Sequence, residues 1–205
     1  MSWKTNVPLI AILRGITQQE VDEHVSILIA SGFDAIEIPL NSPEWEVSIK
    51  GMVDKFGSRA LIGAGTVLNV ANVERLAAMG CKMIVTPNTN PAVIRRSVEL
   101  GMTVCAGCAT ATEAFTALDA GAQALKIFPS SAFGPEYVKA LKAVLPADVP
   151  VFAVGGVTPE NLHLYMSAGC IGAGLGGDLY KAGQSPERTR QQAEFFIKAY
   201  KEVKQ

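Results

Sequence analysis

Charge is scarce in this chain and nearly balanced: 18 Lys and Arg stand against 19 Asp and Glu in 205 residues, a net charge of −1. No Lys/Arg cluster offers a footprint for a phosphate backbone, which argues against nucleic acid as a partner. Long apolar runs are missing too. None reaches the length that spans a bilayer, and the opening M-S-W-K-T-N lacks a signal-peptide core. The cytoplasm is therefore the expected compartment, with no membrane partner. Histidine is rare: His24 and His163 fall among polar residues on helical patterns and are expected at the surface. Cys105 and Cys108 form a C-A-G-C without a second pair, while Cys81 and Cys170 stand alone. The four cysteines thus read as free thiols, and no metal cluster is expected.

What the chain has in quantity is apolar residues, 49% of the total, enough for a large core. They fall into a repeating β-then-α rhythm. Strands are predicted over 9–13, 35–40, 61–67, 83–87, Thr103–Cys108, 124–129, 151–157 and 171–176. These eight start about 20 to 27 residues apart, room for one strand and one crossover helix. Capping boxes read T-Q-Q-E at 17–20 and T-A-T-E at 110–113. Ser42-Pro43, Asn90-Pro91, Thr158-Pro159 and Ser185-Pro186 each set a capping residue before a proline suited to the first helical turn. Gly32, Gly80, Gly101, Gly121 and Gly169 follow helical stretches, where a left-handed glycine belongs.

Eight such units with no linker predict one domain over residues 1–205, a compact (β/α)8 TIM barrel. The alternative is an open doubly wound sheet. It would need a G-x-G-x-x-G after the first strand, where Leu13-Arg14-Gly15-Ile16 offers one glycine. Residues 185–204 read as a closing helix, and a short helix or arm before Leu9 is expected to cover the barrel bottom.

Three ionisable side chains besides cysteine fall within the strands or just past their ends: Arg14, Glu37 and Lys126. Strand alternation sets Ala35, Glu37 and Pro39 on one face, and Ala124, Lys126 and Phe128 on one face of theirs. If those faces point inward, an acid and an amine share the interior while Ile36, Ile38, Leu125 and Ile127 pack outward. Burying unpaired charge costs several kcal/mol, on the order of a domain's whole stability. A lysine so placed loses its proton easily and becomes a nucleophile. The bland readings are a lysine reaching solvent from a strand end, or an Arg–Glu–Lys network that merely ties strands together.

Glycines form a second constellation. V-F-A-V-G-G-V-T at 151–158 and I-G-A-G-L-G-G-D at 171–178 place Gly155, Gly156, Gly176 and Gly177 after the seventh and eighth strands. Backbone N–H groups there can approach an anion closely, with a helix N-terminus adding partial charge, and barrel enzymes often hold a substrate phosphate at this place. Ser130 and Ser131 add candidate hydroxyl donors.

Over nearly its whole length the chain resembles the class I aldolases that cleave 2-keto-3-deoxy-6-phospho sugar acids, the KDPG/KHG type. The matching pieces are A-I-L-R-G (11–15), E-I-P-L (37–40), G-A-G-T-V (63–67), T-P-N (86–88), L-K-I-F-P (125–129) and A-V-G-G-V (153–157). E-I-P-L-N-S-P, A-T-A-T-E-A-F-T-A-L and A-L-K-I-F-P-S-S-A-F-G-P are most similar to the galactonate branch. The glucose-derived branch usually carries a threonine or an acidic/arginine pattern where this chain has Pro39-Leu40-Asn41.

The resemblance implies Lys126 as the Schiff-base lysine and Glu37 as the proton shuttle. It implies Arg14 and Thr66 as ligands of the pyruvyl end, and Gly156 and Gly176 as phosphate donors. The implied substrate is a phosphorylated keto-deoxy sugar acid, the products are pyruvate and glyceraldehyde 3-phosphate, no cofactor is needed, and the assembly is a homotrimer. Many relatives have a serine at the position of Gly177, which leaves phosphate binding here to main-chain donors. Val154 is a candidate for sensing the C4 hydroxyl by shape, against an ordinary core valine. The alternatives are an aldolase of the other C4 stereochemistry, a phosphosugar isomerase or epimerase that uses Glu37 as base without an imine, and a catalytically silent barrel that binds a phosphorylated metabolite.

Overall fold

Apolar strands stiff enough to lie flat, each followed by a helix that must cover it, leave few ways to bury both faces of a parallel sheet; closing it on itself is one. A computed structural model describes residues 3–204 and shows that closure. In chain order the elements are β1 (Leu9–Ile12), α1 (Gln18–Ser31), β2 (Ala35–Pro39), α2 (Trp45–Phe56), β3 (Leu61–Gly65), α3 (Val70–Ala78), β4 (Met83–Val85) and α4 (Pro91–Glu99). They continue with β5 (Thr103–Cys108), α5 (Ala111–Asp119), β6 (Ala124–Ile127), α6 (Ser130–Lys142), β7 (Val151–Val154), α7 (Leu162–Ser167), β8 (Gly172–Leu175) and α8 (Pro186–Val203). Every strand pairs in parallel with the next, and β8 returns to β1 with Ile10 opposite Gly174. The expected (β/α)8 barrel is observed, and the open sheet is excluded.

The two faces of each strand do different work. Ile36, Ile38, Leu125 and Ile127 join the layer between barrel and helices. Ile10, Ile12, Ala35, Met83, Val85, Cys105, Ala124, Phe152 and Val154 fill the inside. The interior is tight: a Cβ added at Gly174 would lie 2.8 Å from Val154 Cγ2. Ahead of β1 the described residues form an arm, with no helix among them. Its Trp3 ring packs edge-on against Phe152, centroids 4.7 Å apart, at the N-terminal mouth, and Asn6 donates its N–H to Asp34 at 2.6 Å.

Helix punctuation follows the sequence in most places. The Thr110 capping box forms, and Asn90 and Ser185 cap α4 and α8 ahead of their prolines. The five glycines expected past helix ends all take positive φ. Two expected caps do not form. Ser42 accepts from the Gly15 N–H at 2.9 Å while α2 begins later, after a left-handed Glu44. Thr158 lies in a turn, and α7 starts only after Asn161, whose side chain accepts from the Thr158 N–H. His24 also departs from expectation: it is 2% exposed, covered by α8. His163 is at the surface. All four cysteines are buried free thiols. Among the described residues no helix is long and apolar enough to cross a membrane.

Candidate active site

In a barrel of parallel strands the loops after the strands gather at one mouth, and side chains near strand ends lean toward it. A cavity of about 430 Å³ opens there. Its floor is Ile12, Lys126, Phe128 and Val154; Arg14, Thr66 and Pro87 line one side, and residues 155–157 and 176–178 the other. A second groove of about 460 Å³ lies at the opposite end, near the starts of β2, β3 and β4. None of its ionisable side chains is buried, so it lacks a group tuned for chemistry.

Lys126 comes from the middle of β6, paired with Gly107 on one side and Phe152 on the other. It is 5% exposed, and its Nζ lies 4.7 Å from the centroid of the Phe128 ring. Burial holds the ammonium below its usual range, and the positive charge of Arg14 adds to that; the negative charge of Glu37 opposes it. Such an amine yields its proton more readily than one in water. The peptide bond from Phe128 to Pro129 is cis.

Glu37, on β2, is 1% exposed, and its Oε2 has no hydrogen-bond partner. Desolvation raises its pKa to about 7, against the pull of the charges on Lys126 and Arg14. A glutamic acid at that value can both give and take a proton near neutrality. The room it occupies is made by Gly65, where any Cβ would stand 1.9 Å from Oε2. The acid and the amine feel each other within one enclosure: burial drives their pKa values together, and the attraction between their charges opposes that only in part.

Arg14 reaches over the mouth from the end of β1. Its Nη1 donates to Asn41 Oδ1 at 2.6 Å and to Thr66 Oγ1 at 3.5 Å. That arrangement leaves Nη2 and Nε to face an incoming carboxylate as a planar pair of donors. Thr66 has φ +56, a left-handed backbone rare for a β-branched residue. Such strain, on the order of 1–3 kcal/mol, gathers where a side chain must be aimed.

On the far side, Gly155 and Gly156 take φ +96 and +73. Asn161 donates to the Gly156 carbonyl at 2.9 Å and accepts from Thr158, which fixes that turn. None of the hydrogen bonds among the described residues uses the N–H of Gly156 or Gly177, so both remain for an anion. The expected helix N-termini are not beside these loops: turns intervene before α7 and α8. The Ser130 hydroxyl is also committed elsewhere. It donates to the Ile127 carbonyl and accepts from the Val154 N–H, inside the protein.

The structure thus gathers Lys126, Arg14, Thr66, Val154, Gly155, Gly156, Gly176 and Gly177 around one cavity, with Glu37 buried within electrostatic reach of Lys126. Sequence reasoning missed Asn41, Gly65, Phe128 and Asp178 as parts of the site. The alternation that placed Glu37 inside also marks Phe128 and Gly65 as inward-facing. Asn41 and Asp178 lie in the loops after β2 and β8, beyond the reach of strand alternation. Among the described residues no group of three or more His, Cys, Asp or Glu is placed to hold a metal ion.

Residues 2–192 match the family model of KDPG and KHG aldolase. The chain is 69% identical, over the full length of both, to the 2-dehydro-3-deoxy-6-phosphogalactonate aldolase of Escherichia coli strain K12. It is 48% identical to a probable 2-dehydro-3-deoxy-6-phosphogalactonate aldolase of Rhizobium meliloti strain 1021, over 96% of this chain and 92% of that one. A solved structure described as native KDPGal superposes with a TM-score of 0.98 at 69% identity, covering 99% of this chain and 98% of the other.

Proposed function

The chain belongs to the KDPG and KHG aldolase family, and from that premise we propose that it cleaves 2-dehydro-3-deoxy-6-phosphogalactonate through a Schiff base, releasing pyruvate and D-glyceraldehyde 3-phosphate. The observation that carries this reading is the enclosure of Lys126 with Glu37, the amine's proton affinity lowered and the acid's raised.

The steps follow from those two groups. Neutral Lys126 Nζ attacks the C2 ketone, and the carbinolamine loses water with a proton from Glu37, leaving an iminium. The Glu37 carboxylate then takes the C4 hydroxyl proton, directly or through a water. The C3–C4 bond breaks, its electron pair flows into the iminium, and the aldehyde departs. Glu37 returns its proton to C3 of the enamine, and water hydrolyses the pyruvyl iminium to pyruvate and free lysine. The iminium is itself the electron sink, so the reaction needs no cofactor. Arg14, steadied by Asn41 and Thr66, holds the substrate carboxylate. Gly155, Gly156, Gly176 and Gly177 offer backbone donors to the 6-phosphate, and Val154 bounds the space beside C4.

The 69% identical relative and the Pro39-Leu40-Asn41 signature support the galacto substrate over its C4 epimer. We also place the enzyme in the cytoplasm as a homotrimer, in keeping with its family. The test is a turnover comparison of the two C4-epimeric 6-phospho acids, following pyruvate release. The galacto compound is expected to give at least about a tenfold higher kcat/KM, a transition-state difference of about 1.4 kcal/mol. Equal values, or a preference for the gluco compound, would reverse the assignment.

A further inference from the structure

The loop between β8 and α8 carries Gly176, Gly177 and Asp178 into the wall of the cavity, and a buried polar chain behind it has no part in the chemistry described above. His24 on α1 and Thr189 on α8, 2% and 0% exposed, share a hydrogen bond of 2.8 Å between Nδ1 and Oγ1. Gln184 Nε2 donates to the same Thr189 Oγ1 at 2.7 Å and to the Leu179 carbonyl at 2.9 Å, while its Oε1 accepts from the Lys181 N–H at 3.0 Å. Leu179 and Tyr180 in turn donate their N–H groups to the Gly176 carbonyl, both at 2.9 Å. An unbroken path therefore runs from helix α1 to the glycine at the cavity wall. The same loop also abuts the other end of the site: a Cβ on Gly15, beside Arg14, would lie 3.1 Å from Ala182 Cβ.

Packing two helices needs no such chain. Buried polar groups cost desolvation, and apolar side chains of the same shape hold helices together at least as well. What directional hydrogen bonds add is register. Here all three bonds of one half-buried glutamine serve a single loop, tying it at two backbone points to a hydroxyl on α8. Backbone donors to an anion work only when held within a few tenths of an ångström of their hydrogen-bonding geometry.

We propose that His24, Thr189 and Gln184 are positioning residues for the phosphate end of the substrate: they fix the β8–α8 loop so that its backbone donors meet the anion. This rests on the aldolase reading above. In the structure they touch no reacting atom, so their loss changes binding of the phosphate and leaves the chemistry at Lys126 intact.

The test uses Thr189→Val and Gln184→Leu, with Thr189→Ser as the conservative rescue, in the full-length enzyme. Four quantities are read: KM and kcat for the phosphorylated substrate, competitive inhibition by inorganic phosphate, and exchange of pyruvate methyl hydrogens with deuterium. The exchange needs the imine and Glu37 but no phosphate site. Expected are a rise in KM and a weakening of phosphate inhibition, each about tenfold, as loss of one buried positioning bond implies. Pyruvate exchange stays within about twofold of wild type, and Thr189→Ser restores KM. Gln184 is only half-buried, so its variant folds even if Thr189→Val does not. Unchanged KM and phosphate inhibition in Gln184→Leu would overturn the proposal, as would pyruvate exchange falling by as much as KM rises. Wild-type enzyme that exchanges no pyruvate hydrogens would instead remove the aldolase reading itself.

Discussion

Gly65→Ala is a one-carbon change that reaches the acid–base machinery while leaving both reacting residues in the sequence. The added methyl carbon would stand 1.9 Å from Glu37 Oε2 and 2.4 Å from its Cδ. Carbon–oxygen contacts begin at about 3.3 Å, so the carboxylate must retreat by more than about 1 Å. Misplacing a catalytic group by that distance costs about 100-fold in rate, or about 2.7 kcal/mol of transition-state stabilisation. Overpacking the barrel adds a stability cost of about 1–3 kcal/mol, readable as a lower Tm. The assay is pyruvate release from the phosphorylated substrate, alongside deuterium exchange into pyruvate, and both should fall together. Lys126 is untouched, so pyruvate should still form a reducible adduct. Because the methyl acts through Glu37, its effect should vanish in a Glu37→Gln background, a coupling that a double-mutant cycle measures. Gly65→Ala retaining activity within about threefold of wild type, or an additive double mutant, would refute the reasoning.

Glu37→Gln should lower kcat by about 10²- to 10⁴-fold, the usual loss when a general acid–base is removed, and the inflection near pH 7 in the kcat profile should disappear with it. The same variant should be the more stable protein at alkaline pH. The folded-state pKa of Glu37 is raised from 4.5 to about 7, so folding binds a proton in that window, and the stability it contributes below pH 4.5 is lost as pH rises to about 7. Removing the charge recovers up to about 3 kcal/mol above that pH, visible in denaturant melts at pH 8 and fading toward pH 5. Val154→Thr puts a hydroxyl beside C4, and if Val154 selects by shape it should shift the galacto-to-gluco kcat/KM ratio by about tenfold; an unchanged ratio would make Val154 an ordinary wall residue.

Much of this was legible because the strong signals are periodic. Two-residue alternation in 35–40 and 124–129 already set Glu37 and Lys126 inward, and a closed barrel leaves inward-pointing groups one shared space. The glycine pairs after the seventh and eighth strands could be read the same way, from position alone. What escaped depends on distant packing. His24 looks solvated among its polar neighbours, but α8 covers it from 165 residues away. Thr66 takes its left-handed φ where its hydroxyl meets Arg14, 52 residues earlier, and no local pattern encodes that. Ser42-Pro43 had the grammar of a helix cap, and its hydroxyl was instead taken by the Gly15 backbone across the mouth. The errors therefore fall where a side chain answers to a distant element: His24 on α1 to helix α8, and Ser42 and Thr66 in the loops to neighbouring strand ends.

Every step proposed for this enzyme begins with Lys126 acting as a nucleophile. Enzyme mixed with pyruvate and borohydride, then digested and sequenced by mass spectrometry, should carry one reduced pyruvyl group on the peptide containing position 126, and Lys126→Met should carry none. An unmodified peptide there, or an adduct on any other lysine, would contradict it.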